Sequence, residues 1–174
     1  DAVMLSAESA AGDYPIEAVT TMDAIAREIE AHPTFREIIE ANRRIERRSA
    51  ADAIVSAGRE IAENTDIKAI CCFTESGTTA LITARERPRV PIIALTPEHR
   101  IARRLSLTWG VSCFLVEGEV SRFKQAVVNA ARTARAAGFA TAEESILVIA
   151  GVPFNKAGTT NILRIAPCDE RLIF

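Results

Sequence analysis

From Ile67 to Ile165 the chain alternates short apolar runs with stretches of helical spacing, and this alternation restricts the fold more than any other feature. Ile67–Phe73, Pro91–Leu95, Val111–Val116 and Ser145–Ala150 read as strands. Ser76–Glu86, Pro97–Leu107 and Val120–Ala137 read as the helices between them. Strands that are apolar at consecutive positions are covered on both faces, and strands separated by helices run parallel. The expected class is therefore α/β, a three-layer α/β/α sandwich around a mostly parallel five-stranded sheet. The fifth strand, Asn161–Ile165, follows the fourth with no helical pattern between them. That link is too short for a comfortable parallel crossover, so the last strand is expected to be antiparallel.

Upstream of this rhythm, residues 2–5 read as a short buried strand and Gly12-Asp13 as a turn. Pro15 suits the first turn of a helix, and Ile16, Val19, Met22, Ile25, Ala26 and Ile29 follow at helical spacing. His32-Pro33 ends that helix, because the residue before proline is pushed out of the α region. Residues 34–48 carry a second helical pattern with Arg43, Arg44, Arg47 and Arg48. Those arginines fit a solvated, salt-bridged face or a subunit contact. Ser49 with Asp52 marks the start of another helix.

With 174 residues, 48% of them hydrophobic, the chain can bury a real core. A formal charge of -2 without a basic stripe argues against a nucleic-acid partner. The longest apolar runs are too short for a bilayer, so no membrane partner is expected. The four cysteines form no C-x-x-C pair and read as buried thiols of a reducing cytoplasm. His32 and His99 lie far apart in sequence with no nucleophile nearby. No H-E-x-x-H, Walker loop or G-x-S-x-G elbow occurs. Trp109 and Phe114 read as core residues.

Two loops carry chemistry-bearing residues. Thr74-Glu75-Ser76-Gly77-Thr78-Thr79-Ala80 joins a buried strand to a helix. Hydroxyls and orphan N–H groups at the positive end of a helix make a phosphate pocket. The same residues also fit a plain helix cap with a glycine turn. The second loop, Gly151 to Asn161, leaves the fourth strand on the same edge of the sheet. It brings Asn155, Lys156, Gly158 and Thr159, which could reach a shared ligand or simply connect two strands.

The amino-terminal segment from Met4 to Val19 resembles the end of the catalytic barrel of the pyruvate kinase family, M-L-S-G-E-T-A-x-G-x-Y-P-x-E-A-V. Met4, Leu5, Ser6, Glu8, Ala10, Gly12, Tyr14, Pro15, Glu17, Ala18 and Val19 fall on this pattern. Thr74, Ser76, Gly77, Thr79 and Ala80 resemble the family's T-x-S-G-x-[ST]-A loop. Gly151, Gly158, Thr160 and Asn161 resemble its G-x-x-x-x-x-x-G-x-T-N loop. Arg87 to Thr96 and Leu107 to Val111 resemble the family's second strand and the approach to its third. Four departures stand out. Thr78 replaces a common Arg, Ala7 and Ser9 replace Gly and Thr, and Ala11 replaces a frequent Lys.

The resemblance implies the carboxy-terminal part of a pyruvate kinase of bacterial type. Residues 1–31 would be a remnant of a TIM-barrel strand and helix, and residues 32–174 the regulatory α/β domain. The parent enzyme would transfer phosphate from phosphoenolpyruvate to ADP with Mg²⁺ and K⁺, whose ligands lie outside this chain; no cofactor is expected on the chain itself. Ser6 and Glu8 would line the barrel's active site. Thr74, Ser76, Gly77, Thr78 and Thr79 would hold the phosphate of an allosteric effector, and Asn155, Lys156, Gly158 and Thr159 would close over it. Without an arginine at position 78, and with Glu75 beside the pocket, a monophosphate such as AMP or a sugar monophosphate is expected. The parent would be a cytoplasmic homotetramer, and this chain alone would be inactive. The alternative is a free-standing phosphate-ligand sensor or assembly module built on the same domain.

Overall fold

Ile67–Phe73 forms β1 at the centre of the sheet, where six of its seven residues are buried. The computed structural model that gives this fold describes residues 2–41, 49–116, 118, 120–154 and 159–173. The chain divides into two compact units, residues 1–45 and 46–174.

In the second unit, α4 spans Ala50–Asn64 and precedes β1. Its first turn is capped as its sequence requires: Ser49 Oγ accepts from Asp52 N at 3.1 Å. Then come α5 (Thr78–Arg85), β2 (Ile92–Thr96), α6 (His99–Leu105), β3 (Val111–Leu115), α7 (Phe123–Ala136), β4 (Ser145–Gly151) and β5 (Thr160–Pro167). The sheet order is β3-β2-β1-β4-β5. β1 pairs in parallel with β2 and β4, β2 pairs in parallel with β3, and β5 runs antiparallel to β4. A short 3-10 turn over Glu170–Leu172, absent from the sequence expectation, follows the last strand.

Successive side chains along each strand enter opposite layers. Cys71, Ile93, Val148 and Ala150 pack with Val127, Ala130 and Ala134 of α7. Cys72, Ile92, Ala94, Leu147 and Ile149 pack with Val55 of α4, Ala80 of α5 and Leu105 of α6. The result is the expected three-layer sandwich. The chain leaves β1 toward β2 on one side and leaves β4 toward β5 on the other. A topological switch point therefore lies between the carboxyl ends of β1 and β4, which is where doubly wound sheets bind ligands.

Cys71, Cys72 and Cys168 are buried, whereas Cys113 on edge strand β3 is partly exposed. Burial pushes the Cys71 thiol well up, and pushes that of Cys72 up to about 12 despite a hydrogen bond with Thr83. A thiol reagent at pH 8 is therefore expected to label Cys113 in the folded chain and Cys71 and Cys72 only after unfolding. Peptide mapping before and after denaturant checks this. Early labelling of Cys72 would contradict the burial.

Trp109 and Phe114 are not fully buried. Arg87 lies 4.6 Å from the centroid of the Trp109 ring, a cation–π arrangement at the surface. Phe114 packs edge-on against Phe139 at the margin of the core.

The first unit holds α1 (Ala7–Ala10), α2 (Pro15–Ala31) and α3 (Pro33–Ala41). Pro15 sits in the first turn of α2, and His32 is extended with φ -72° and ψ 135° before Pro33. Residues 2–5 form no strand, contrary to the sequence expectation, and Val3 and Met4 are 70% and 86% exposed. An apolar run becomes a strand by exchanging hydrogen bonds with a neighbour, and no described residue pairs with this one. The helices of this unit bury none of their residues. Arg43, Arg44, Arg47 and Arg48 lie outside the described residues.

Candidate functional site

Thr74 leaves β1 buried, and its Oγ1 accepts from Gly77 N at 3.0 Å. Gly77 then takes φ +83°, a left-handed backbone that favours glycine. Ser76 Oγ accepts from Thr78 N at 3.4 Å and pairs with Thr78 Oγ1 at 2.9 Å. Side chains thus satisfy two N–H groups before the helix begins, so α5 starts at Thr78 rather than at Ser76. The N–H groups of Thr79 and Ala80 have no acceptor among the described residues. Both residues are buried, at 5% and 0% exposure, at the positive end of α5.

The second loop meets the first through one buried contact. Thr79 Oγ1 and Thr160 Oγ1 are 2.7 Å apart, 81 residues apart in sequence. Two threonine hydroxyls hold two O–H groups, and their mutual bond uses one. No described residue accepts the other. The start of α5 therefore presents two N–H donors and one O–H donor in one place. Such a cluster suits an anionic acceptor, and phosphate oxygens above all.

The second loop is pinned at both ends. Asn161 Oδ1 accepts from Val152 N at 2.9 Å, and Asn161 Nδ2 donates to Val152 O at 2.6 Å. A Cβ at Gly151 would stand 2.9 Å from the carbonyl carbon of Thr159, so only glycine lets the two ends close this tightly. Phe154 stacks edge-on against Phe73 with ring centroids 5.5 Å apart, which holds the loop to the end of β1.

The structure thus gathers Thr74, Ser76, Gly77, Thr78 and Thr79 at the switch point, with Thr159 at the foot of the opposite loop. Glu75 lies half-buried within the same turn. Asn155, Lys156 and Gly158 lie outside the described residues. Ser6 and Glu8 belong to the other unit and make a local turn, in which Ser6 N donates to Glu8 Oε2 at 3.0 Å. Hydrogen bonds from the Glu8 and Ser6 N–H groups hold the Glu8 carboxyl below its ordinary range. Two residues of the gathered site carry no role in the sequence reading. Thr160 had a signal, its place in the G-x-T-N pattern. Arg104 had none: its Nη2 donates to Ser76 O at 2.6 Å from α6.

Among the described residues no group of three or more His, Cys, Asp or Glu converges as a metal site.

Residues 52–166 match the family model described as pyruvate kinase, alpha/beta domain. The chain is similar to a pyruvate kinase of Methylorubrum extorquens, 43% identical over 166 residues, covering 95% of this chain and 34% of the relative. It is also similar to a pyruvate kinase of Agrobacterium vitis, 41% identical over 165 residues, covering 95% of this chain and 35% of the relative. A third, from Clostridium acetobutylicum, is 36% identical over 165 residues with the same two coverages. The chain spans about a third of the length of these curated relatives.

Proposed function

The chain belongs to the pyruvate kinase family, and on that premise we propose that it is the regulatory and assembly region of an enzyme that transfers phosphate from phosphoenolpyruvate to ADP. The products are pyruvate and ATP. The loops at the switch point bind the phosphate of an allosteric effector. The observation that carries this reading is the 2.7 Å bond between Thr79 and Thr160, which draws both loops onto one set of donors that no described residue accepts from.

The effector is a monophosphate, AMP or a sugar monophosphate. Position 78 supplies a hydroxyl where an arginine would have supplied charge. Glu75 disfavours a second phosphate nearby and can accept hydrogen bonds from sugar hydroxyls. Asn155, Lys156, Gly158 and Thr159 close over the sugar. Ser6 and Glu8 line the wall of the catalytic barrel, within residues 1–31. The enzyme is a cytoplasmic homotetramer whose Mg²⁺ and K⁺ are held by other parts of the protein.

Because phosphoryl transfer needs positioned cations and metal-bound oxygens, this chain by itself is expected to give no turnover with phosphoenolpyruvate and ADP. An assay coupled to pyruvate reduction checks this, and turnover above background would contradict it.

A thermal-shift titration with AMP, ribose 5-phosphate, glucose 6-phosphate and fructose 1,6-bisphosphate tests effector binding. A ligand at about 100 times its dissociation constant adds roughly 2.7 kcal/mol, a rise of about 5–10 °C for a domain of this size. One monophosphate should give a saturable rise that Ser76→Ala abolishes. A flat response to all four ligands would overturn the effector reading and leave the loop as a helix cap.

A further inference from the structure

The turn at Ser76-Gly77 lies against a guanidinium from another helix. Arg104 Nη2 donates to Ser76 O at 2.6 Å, and a Cβ at Gly77 would stand 2.9 Å from that nitrogen. Gly77 therefore leaves room for the arginine as well as making the turn. Arg104 is exposed, and no carboxylate among the described residues pairs with it. Its contact with the loop is to a neutral carbonyl, so no described residue compensates its positive charge. A guanidinium has five N–H donors in a planar fork. One is spent on Ser76, and the rest remain for a planar or tetrahedral anion.

The loop itself carries no cation. Thr78 brings a hydroxyl, already paired with Ser76 Oγ, and Glu75 brings a negative charge. An anion drawn to the N–H groups of Thr79 and Ala80 thus meets hydroxyls and one carboxylate from this loop, and, among the described residues, a cation from α6.

We propose that Arg104 is the charge partner of the phosphate at this site, supplied from α6 in place of the arginine that position 78 lacks. The assignment rests on the effector reading above. Arg104 also makes the site depend on how α6 lies against α5, because the same side chain fixes the Ser76 carbonyl.

Charge and clamping are separable by substitution. Glutamine keeps an N–H donor on a shorter arm but carries no charge, whereas lysine keeps the charge and loses the planar fork. Calorimetric titration of the chain with AMP and with ribose 5-phosphate compares wild type, Arg104→Gln and Arg104→Lys, with the melting temperature of each ligand-free variant as a fold control. The expected result is binding about tenfold weaker in Arg104→Gln, or about 1.4 kcal/mol. Arg104→Lys should lose much less, and all three ligand-free melting temperatures should agree. Wild-type affinity in Arg104→Gln would overturn the assignment, and so would equal weakening in both variants, which marks a clamp without a charge role. If the wild type binds neither ligand, the effector reading itself fails and this assignment falls with it.

Discussion

Ile149→Ala is expected to lower the stability of the α/β unit by about 3–4 kcal/mol, the usual range for emptying a fully buried aliphatic site. Ile149 has no exposed surface, and it lies on β4 between β1 and β5. Its Cδ1 would be 2.9 Å from a Cβ at Gly58, so α4 already sits as close to the sheet as a glycine permits. With that close approach the helix has little room to follow a shortened side chain, so the cavity stays open and the cost stays high. For a domain of this size the melting temperature should fall by about 7–14 °C. Ile165→Ala is the control: this β5 residue is 49% exposed, and its loss should cost well under about 1 kcal/mol. Chemical denaturation of both variants checks the pair. Equal losses would show that the layer between α4 and the sheet is not the tight core described.

Gly77→Val is expected to damage both the turn and the pocket. A β-branched residue at φ +83° is strained by about 1–3 kcal/mol. Its side chain would also collide with Ile101 Cγ2 and the Arg104 guanidinium, 3.1 and 2.9 Å from the Cβ position. The arginine can swing away, so the backbone strain sets the loss of stability. The pocket suffers more than the fold, because the turn aims the N–H groups of Thr79 and Ala80 and Arg104 leaves its place. Phosphate-ligand binding should become undetectable while the chain remains folded, at a melting temperature lowered by about 2–10 °C. Undiminished binding would show that the turn does not shape the site.

Much of this architecture is written in local pattern. The apolar runs locate all five strands, and β1 matches its expected span residue for residue. The short link before β5 correctly signals an antiparallel strand. Helix starts read less well, for a common reason. Side chains at the starts of α5, α6 and α7 capture backbone N–H groups and delay the first turn. Thr74 and Ser76 do so before α5, and Thr96 Oγ1 accepts from Glu98 N at 3.2 Å before α6. Gln125 Oε1 accepts from Ser121 N and Arg122 N before α7. Residues 2–5 have a strand's composition, but composition does not supply a neighbour.

The site divides the same way. The T-x-S-G-x-[ST] and G-x-T-N patterns mark its two loops. The contact between Thr79 and Thr160 depends on β1 and β4 being neighbours in the sheet, which no local spacing encodes. Arg104 reaches the loop only because α6 packs beside α5 on the same face. On the sequence it is one of several arginines on a helix.

The most direct measurement is an amide chemical-shift titration of the isotopically labelled chain with AMP and with ribose 5-phosphate. Saturable shifts are expected, concentrated at the N–H groups of Gly77, Thr78, Thr79, Ala80 and Thr160. Shifts centred elsewhere, such as the basic groove lined by Arg122, Lys124 and Arg132, would contradict this, as would no saturable shift with either ligand.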